Sequence, residues 1–301
     1  MGLLTKMMIL GMPLVPRPVV RYFADRYIAG DKLEDAVALV KRLNARGICA
    51  TIDVLGEAIS KLEEAEFFLK AYRETLAAID AEKLDANISV KPTMFGLKLD
   101  REVCRANLAA ILDEAAKYNN FVRIDMEDRT CTTDTIELYN GFRKKYPRVG
   151  TVIQAYMRRS LADCAALAKT KANIRLCKGI YVEPREVAFK DKAIVNANYG
   201  LLLDVLLGGG AYVGIATHDE KIVWEGLRAI HHFGLKRDQY EFQMLLGVDA
   251  HLRDIIVAEG HRLRVYVPYG KHWYPYSTRR LKENPDMAGQ TFRNVFRKYE
   301  Y

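Results

Sequence analysis

Short runs rich in β-branched and aromatic residues recur along the chain, separated by longer stretches with helical periodicity. The runs are Ile48–Val54, Asn87–Lys91, Phe121–Met126, Thr151–Tyr156, Asn173–Lys178, Ala211–His218, Tyr240–Leu246 and Leu263–Val267. Their starts lie 22–39 residues apart, room for a strand, a helix and two turns. Between them, Leu62, Ala65, Leu69, Tyr72, Leu76 and Ile79 follow a 3.6-residue period; Leu33, Ala36, Val37, Val40 and Leu43 do so ahead of the first run. Eight βα units predict an α/β protein built as a (β/α)8 TIM-type barrel. A doubly wound sheet is the alternative, but no Gly-x-Gly-x-x-Gly follows the first run. Gly208-Gly-Gly-Ala-Tyr-Val-Gly214 precedes a strand instead and reads as a turn. Residues 1–30 are then an arm outside the barrel, and residues 31–301 a single domain.

In such barrels, chemistry gathers at the carboxyl ends of the strands. Those ends read Lys91, Asp125-Met126-Glu127, Gln154-Ala-Tyr156, Lys178-Gly179-Ile-Tyr181, Thr217-His218-Asp219, Gln243-Met-Leu245 and Tyr266. They form a dense polar ring for strands whose interiors are otherwise Ile, Val and Leu. Arg175 and Lys178 are an odd number of residues apart, so on a regular strand they face opposite ways. Both can reach one ligand only if the strand bends, and Gly179 is where a bulge could form.

A polar helix near the end of the chain adds to this, Tyr276-Ser-Thr-Arg279-Arg280-Leu-Lys-Glu283-Asn-Pro285. Pro275 suits a first helical turn and Pro285 biases Asn284 out of helical geometry, leaving about two turns. At ~100° per residue, Tyr276, Arg279, Arg280 and Glu283 share one face. Two guanidiniums on one side repel each other unless an anion lies between them, and a carboxylate fits their planar forks. A solvated basic turn paired internally with Glu283 is the other reading of the same residues.

Half of the 301 residues are apolar, enough for a substantial core. The five cysteines, Cys49, Cys104, Cys131, Cys164 and Cys177, are widely spaced and form no Cys-x-x-Cys pair. That argues for reduced thiols in a cytoplasm-like compartment and against a zinc site. His218 stands without a cluster of metal spacing, so no metal is expected. The net charge of +8 is spread along the sequence rather than clustered, and no stretch favours nucleic acid. Met7–Val15 is apolar but short of the ~20 residues of a spanning helix, so at most a peripheral membrane contact is expected.

Ile88-Ser-Val-Lys91, Val122-Arg-Ile-Asp125-Met-Glu, Val152-Ile-Gln154-Ala-Tyr156, Ile174-Arg175-Leu-Cys-Lys178-Gly179-Ile-Tyr181, Ala216-Thr-His218-Asp, Tyr240-Glu-Phe-Gln-Met-Leu245, Val265-Tyr266-Val-Pro and Tyr276-x-x-Arg279-Arg280-x-x-Glu283-Asn occur in this order over about residues 20–290. The set resembles the proline dehydrogenase family in its compact monofunctional bacterial form. The resemblance implies a distorted (β/α)8 barrel with an N-terminal helical arm and a C-terminal lid helix. It also implies non-covalent FAD, oxidation of L-proline to 1-pyrroline-5-carboxylate by hydride transfer from C5 to flavin N5, and electrons passed to a quinone at the membrane's inner face.

By the same resemblance, Arg279, Arg280 and Lys91 bind the substrate carboxylate, while Tyr266, Tyr276 and Leu245 line its ring. Asp125 holds cations in place, and Arg175 stabilises the reduced flavin; these two are the expected catalytic residues. Met126, Gln154, Arg175, Lys178, Gly179, Tyr181, Thr217, His218 and Glu283 are the expected cofactor contacts. Asp125 could pair with Lys91 or with Arg280. Ile180 stands where the family usually has alanine, which leaves the pocket size open. Hydroxyproline oxidation is an alternative, although Tyr266 occupies a position where hydroxyproline-specific relatives carry a smaller residue. A non-enzymatic barrel binding small amino acids is another.

Overall fold

The structure, a computed structural model, describes Arg21 and residues 25–274. The expected lid helix with Tyr276, Arg279, Arg280 and Glu283, and the first twenty residues of the expected arm, lie outside the described residues.

Eight strands alternate with helices: α1 Leu33–Asn44, β1 Cys49–Val54, α2 Ala65–Ala81, β2 Ala86–Val90, α3 Arg101–Lys117, β3 Val122–Ile124, α4 Thr132–Phe142, β4 Val149–Gln154, α5 Ser160–Ala168, β5 Asn173–Cys177, α6 Lys192–Gly208, β6 Tyr212–Ala216, α7 Glu220–His232, β7 Tyr240–Leu245, α8 Ala250–Ala258 and β8 Leu263–Tyr269. The strands pair in chain order, all parallel, and β8 closes on β1. This is the expected (β/α)8 barrel. The ends differ by small amounts. β3 stops at Ile124, so Asp125 and Met126 stand just beyond it, although the Asp125 amide still donates to the Val90 carbonyl at 2.9 Å. At the end of the arm, the Ala29 amide bonds the Pro268 carbonyl, and Ile28 packs on Leu55 and Trp273. No helix among the described residues is long and apolar enough to cross a membrane.

The strands divide their side chains by parity. Asp53, Ser89, Arg123, Arg175, Gln243, Arg264 and Tyr266 bond to one another or to neighbouring strands inside the lumen. Their neighbours Ile52, Ile88, Ile124, Ile174, Leu176, Phe242, Met244 and Val265 therefore point outward to the helices, and each is at most 2 % exposed. Burying an aliphatic side chain of this kind contributes on the order of 1.5–3 kcal/mol. The helices bring the matching apolar faces, with Leu69, Tyr72, Leu76 and Ile79 on α2 all buried. Aspartates start several of them: Asp100, Asp191, Asp219 and Asp249 each accept a first-turn amide of α3, α6, α7 and α8.

The base of the lumen is charged. Glu241 of β7 accepts from Arg264 Nε at 2.8 Å and from Gln243 Nε2 at 2.6 Å, and Arg264 Nη1 caps the Ala50 carbonyl at 2.7 Å. Arg123 bonds the carbonyls of Thr151 and Asn173, both at 2.9 Å. Its guanidinium fits because position 150 is glycine: a Cβ there would lie 2.3 Å from Arg123 Nη1. Burial, with the Arg175 charge nearby, lowers Arg123 toward about 9, which still leaves it cationic at neutral pH.

Glu241 links this base to acid stability. Burial alone would raise its pKa, but the Arg264 charge and hydrogen bond, the Gln243 donor and the Arg123 charge outweigh burial and hold it at about 2. A carboxylate depressed from 4.5 to about 2 stabilises the fold above pH 4.5, and that contribution disappears as pH falls through the folded value. Urea unfolding between pH 6 and pH 2 should show a loss on the order of 3 kcal/mol from this group. In Glu241→Gln that component of the pH dependence should be missing; an unchanged acid profile would show that Glu241 is not depressed.

Candidate active site

At the carboxyl mouth, two cations are each held by a carboxylate. Lys91 follows β2 and opens the short turn Pro92–Phe95, and its Nζ lies 2.5 Å from Asp53 Oδ1 on β1. Asp53 is fully buried, and its Oδ2 has no hydrogen-bond partner. Burial opposes the Lys91 ammonium, but Asp53, Asp125 and Glu127 around it more than offset this and raise its pKa. The lysine therefore stays charged although its side chain is only 13 % exposed.

Arg175, on β5, reaches across the lumen with every nitrogen engaged. Nη1 meets Asp125 Oδ1 at 2.7 Å, Nη2 the Ser89 hydroxyl at 3.2 Å and Nε the Gln243 amide oxygen at 2.5 Å. Its guanidinium also lies 5.2 Å from the centroid of the Tyr266 ring, within cation–π reach. Asp125 is fully used: beyond Arg175 it accepts from Ser89 Oγ at 3.1 Å and, through Oδ2, from the Tyr266 hydroxyl at 2.9 Å. Burial, then the charges of Asp125 and Asp53, keep the Tyr266 phenol well above its ordinary pKa, so it remains a neutral donor. Leu245, the last residue of β7, is the register partner of Tyr266 and half-buried beside it.

The neighbouring strand ends carry the other expected residues. Glu127 is buried, clasped by the Thr93 amide and hydroxyl at 2.9 and 2.6 Å, and burial raises its pKa. Met126 beside it is buried. Gln154 ends β4; its Nε2 donates to the Glu127 carbonyl at 2.9 Å, and its buried Oε1 has no partner. Thr217 follows β6, its hydroxyl accepting from the Asp219 amide at 3.0 Å, and His218 Nε2 accepts from the Leu245 amide at 3.1 Å. Tyr181 is half-buried and Val182 is fully open to solvent.

The structure gathers Lys91, Asp125, Arg175, Leu245 and Tyr266 around one mouth, with Gln154, Thr217 and His218 on adjoining strand ends. It alters two expectations. Asp125 pairs with Arg175, while Lys91 takes Asp53, because Asp125's oxygens are occupied by Arg175, Ser89 and Tyr266. β5 does not bulge: it ends at Cys177, and the chain turns through Gly179 at φ +106°. Any Cβ there would sit 2.2 Å from the Tyr156 ring, so glycine is required twice over. Lys178, past the strand end, places its Nζ 2.5 Å from Asp219, whose carboxylate also takes the Asn196 amide of α6. Arg175 and Lys178 thus contact different carboxylates, Asp125 and Asp219.

Asp53 and Ser89 were not among the expected site residues, and Gln243 was noted only as polar. A signal was present in the alternation of Ala50-Thr-Ile-Asp53-Val, Asn87-Ile-Ser89-Val and Glu241-Phe-Gln243-Met, which places polar residues on one face of each strand.

The family model for proline dehydrogenase matches residues 36–293. Proline dehydrogenase 1 of Bacillus subtilis subsp. natto is 38 % identical over 278 residues, 92 % of each chain. Proline dehydrogenase of Deinococcus radiodurans is 37 % identical over 270 residues, covering 88 % of this chain and 87 % of its own. Proline utilization A from Bdellovibrio bacteriovorus shares the fold, with a TM-score of 0.81 at 24 % identity; the match covers 93 % of this chain and 34 % of that longer one. With a family match over nearly all of the barrel and close relatives over almost the full length, the chain belongs to the proline dehydrogenase family.

Proposed function

We propose that the protein oxidises L-proline to 1-pyrroline-5-carboxylate, with non-covalent FAD as cofactor and a quinone, met at the cytoplasmic face of a membrane, as onward electron acceptor. The observation that carries this reading is the pair of caged cations, Lys91 with Asp53 and Arg175 with Asp125, beside one tyrosine ring. Proline brings a carboxylate to be held and a C5 carbon to be aimed, and geometry supplies most of such catalysis. The flavin, when bound, supplies the ring that takes the hydride from C5.

Gln154 supports the cofactor. Its Oε1 is a buried acceptor without a partner, whereas its Nε2 is already engaged, so it suits an N–H donor such as a flavin ring presents. Met126, Arg175, Lys178, Gly179, Tyr181, Thr217 and His218 would hold the same group, with Glu283 joining them by resemblance. Lys91 is the fixed anion receptor for the substrate carboxylate, and Arg279 and Arg280 complete it by resemblance. Leu245, Tyr266 and, by resemblance, Tyr276 wall the substrate ring. Asp125 serves as the anchor of Arg175 and Tyr266 rather than as a strong base. Arg175 offers positive charge where negative charge develops on hydride transfer, at no reorganisation cost because its donors are already oriented.

Anaerobic addition of L-proline to the purified, FAD-loaded protein should bleach the visible flavin band. Retention of the band would overturn the reaction, and faster bleaching by trans-4-hydroxy-L-proline would reassign the substrate. Lys91→Met should raise the proline KM roughly 30- to 150-fold, the equivalent of about 2–3 kcal/mol for a charged hydrogen bond, with FAD content unchanged. A normal KM would remove Lys91 from the carboxylate site.

Asp53→Asn tests the cage itself. Without that counter-charge less opposes the burial penalty, so the Lys91 pKa falls relative to the parent protein and the lysine loses its proton at lower pH. The proline KM should then climb with rising pH well before it does in the parent protein. Parallel KM–pH profiles in the two proteins would show that Asp53 does not govern the charge of Lys91.

A further inference from the structure

Gln243 occupies a position that neither the resemblance nor the reaction assigns. It lies on β7, 6 % exposed, between the charged base of the lumen and Arg175. Its amide can be oriented in only one way. Glu241 is an ionised acceptor and takes Nε2–H at 2.6 Å; Arg175 has only donors and must meet Oε1, at 2.5 Å. Glu241 is fixed in turn by Arg264, and Arg264 by the Ala50 carbonyl of β1. A continuous hydrogen-bonded strut therefore runs from the barrel base to the Nε of Arg175.

Nε is the nitrogen that sets the guanidinium plane. Nη1 and Nη2 reach Asp125 and Ser89 on one side of the lumen, so Gln243 is the contact that holds the guanidinium from the barrel base. With Nε fixed from below, the plane cannot rotate about the Asp125 contact. The amide is also a neutral spacer. It separates Arg175 from Glu241, so the cation shares its charge with Asp125 alone rather than with two carboxylates.

The backbone makes room for this strut. Gly214 of β6 is register-paired with both Arg175 and Glu241. A Cβ at position 214 would lie 2.4 Å from Gln243 Nε2 and 2.8 Å from its Cδ. Glycine here carries an ordinary backbone conformation, so the space, and not a left-handed φ, is what it provides.

We propose that Gln243 is a positioning residue for Arg175, holding its guanidinium in the orientation that serves hydride transfer, with Gly214 as the space that admits it. The inference rests on the reading that Arg175 acts on the flavin. The test uses FAD-loaded enzyme carrying Gln243→Met, Gly214→Ala or Arg175→Met, read by flavin potentiometry, anaerobic stopped-flow reduction and proline KM.

Gln243→Met leaves Nε without its acceptor, and Gly214→Ala displaces the amide while keeping every polar atom. Both should lower the flavin midpoint potential and slow reduction about 10- to 100-fold, as small misplacements at a reacting centre do, with proline KM within about twofold of the parent. If Gln243→Met does not fold, Gly214→Ala carries the same test. A parental potential in both variants, with only a lower melting temperature, would make Gln243 a packing residue and overturn the inference while Arg175→Met still shifts the potential. A parental potential in Arg175→Met would overturn the flavin role of Arg175 and this inference with it.

Discussion

The Arg175–Asp125 ion pair is the contact around which the mouth of this barrel is organised. Buried charges are costly unless both paired and hydrogen-bonded. Arg175 and Asp125 meet that condition by drawing in Ser89, Gln243 and Tyr266 from three other strands. The same requirement repeats at Lys91 and Asp53, so two cations face two carboxylates. The two pairs cancel in charge but leave the mouth strongly polarised within. Asp53 Oδ2 is the exception, a buried oxygen left without a partner.

Such a lumen inverts the usual division of labour in a barrel, where branched apolar side chains fill the interior in layers. Here most Ile, Val and Leu of the strands face outward and weld the sheet to the helices, Val152 and Leu245 being on the lumen face, while the interior is wired with side-chain hydrogen bonds. Cohesion between the sheet and its helical shell comes from the hydrophobic effect; register across the lumen comes from directed polar contacts. Substrate chemistry is thereby separated from the part of the protein that supplies most of the folding free energy.

The architecture was legible because spacing is a one-dimensional property: eight β-rich runs at helical intervals leave few alternatives. Strand ends were legible for the same reason, and most expected residues do lie there. Partnerships were not, because they join residues far apart in the chain: Lys91 with Asp53 over 38 positions, Arg175 with Asp125 over 50 and Arg175 with Gln243 over 68. Pairing Asp125 with Lys91 or Arg280 respects charge, but nothing in the sequence shows that Arg175, Ser89 and Tyr266 fill its oxygens. Asp53 is hard to read from the sequence, because one aspartate within a β-rich run carries little weight until the alternation of its neighbours is taken as a face. Gly179 marks the departure from the strand, but its positive φ turns the chain where a bulge would continue it.

The glycine at position 150 has a consequence for how sequences of this kind can change. Arg123 and Gly150 are register partners on adjoining strands, and the long side chain of one occupies the volume a side chain of the other would need. The two positions are therefore epistatic, and the order of substitution matters. Replacing Arg123 by a smaller residue first removes the nearer obstacle and frees space beside it into which the Phe121 ring, 2.7 Å from the same Cβ, can shift before an alanine at 150 is admitted. The reverse order drives a methyl group into a buried guanidinium, so only one of the two mutational paths remains open to a lineage that must stay folded at every step.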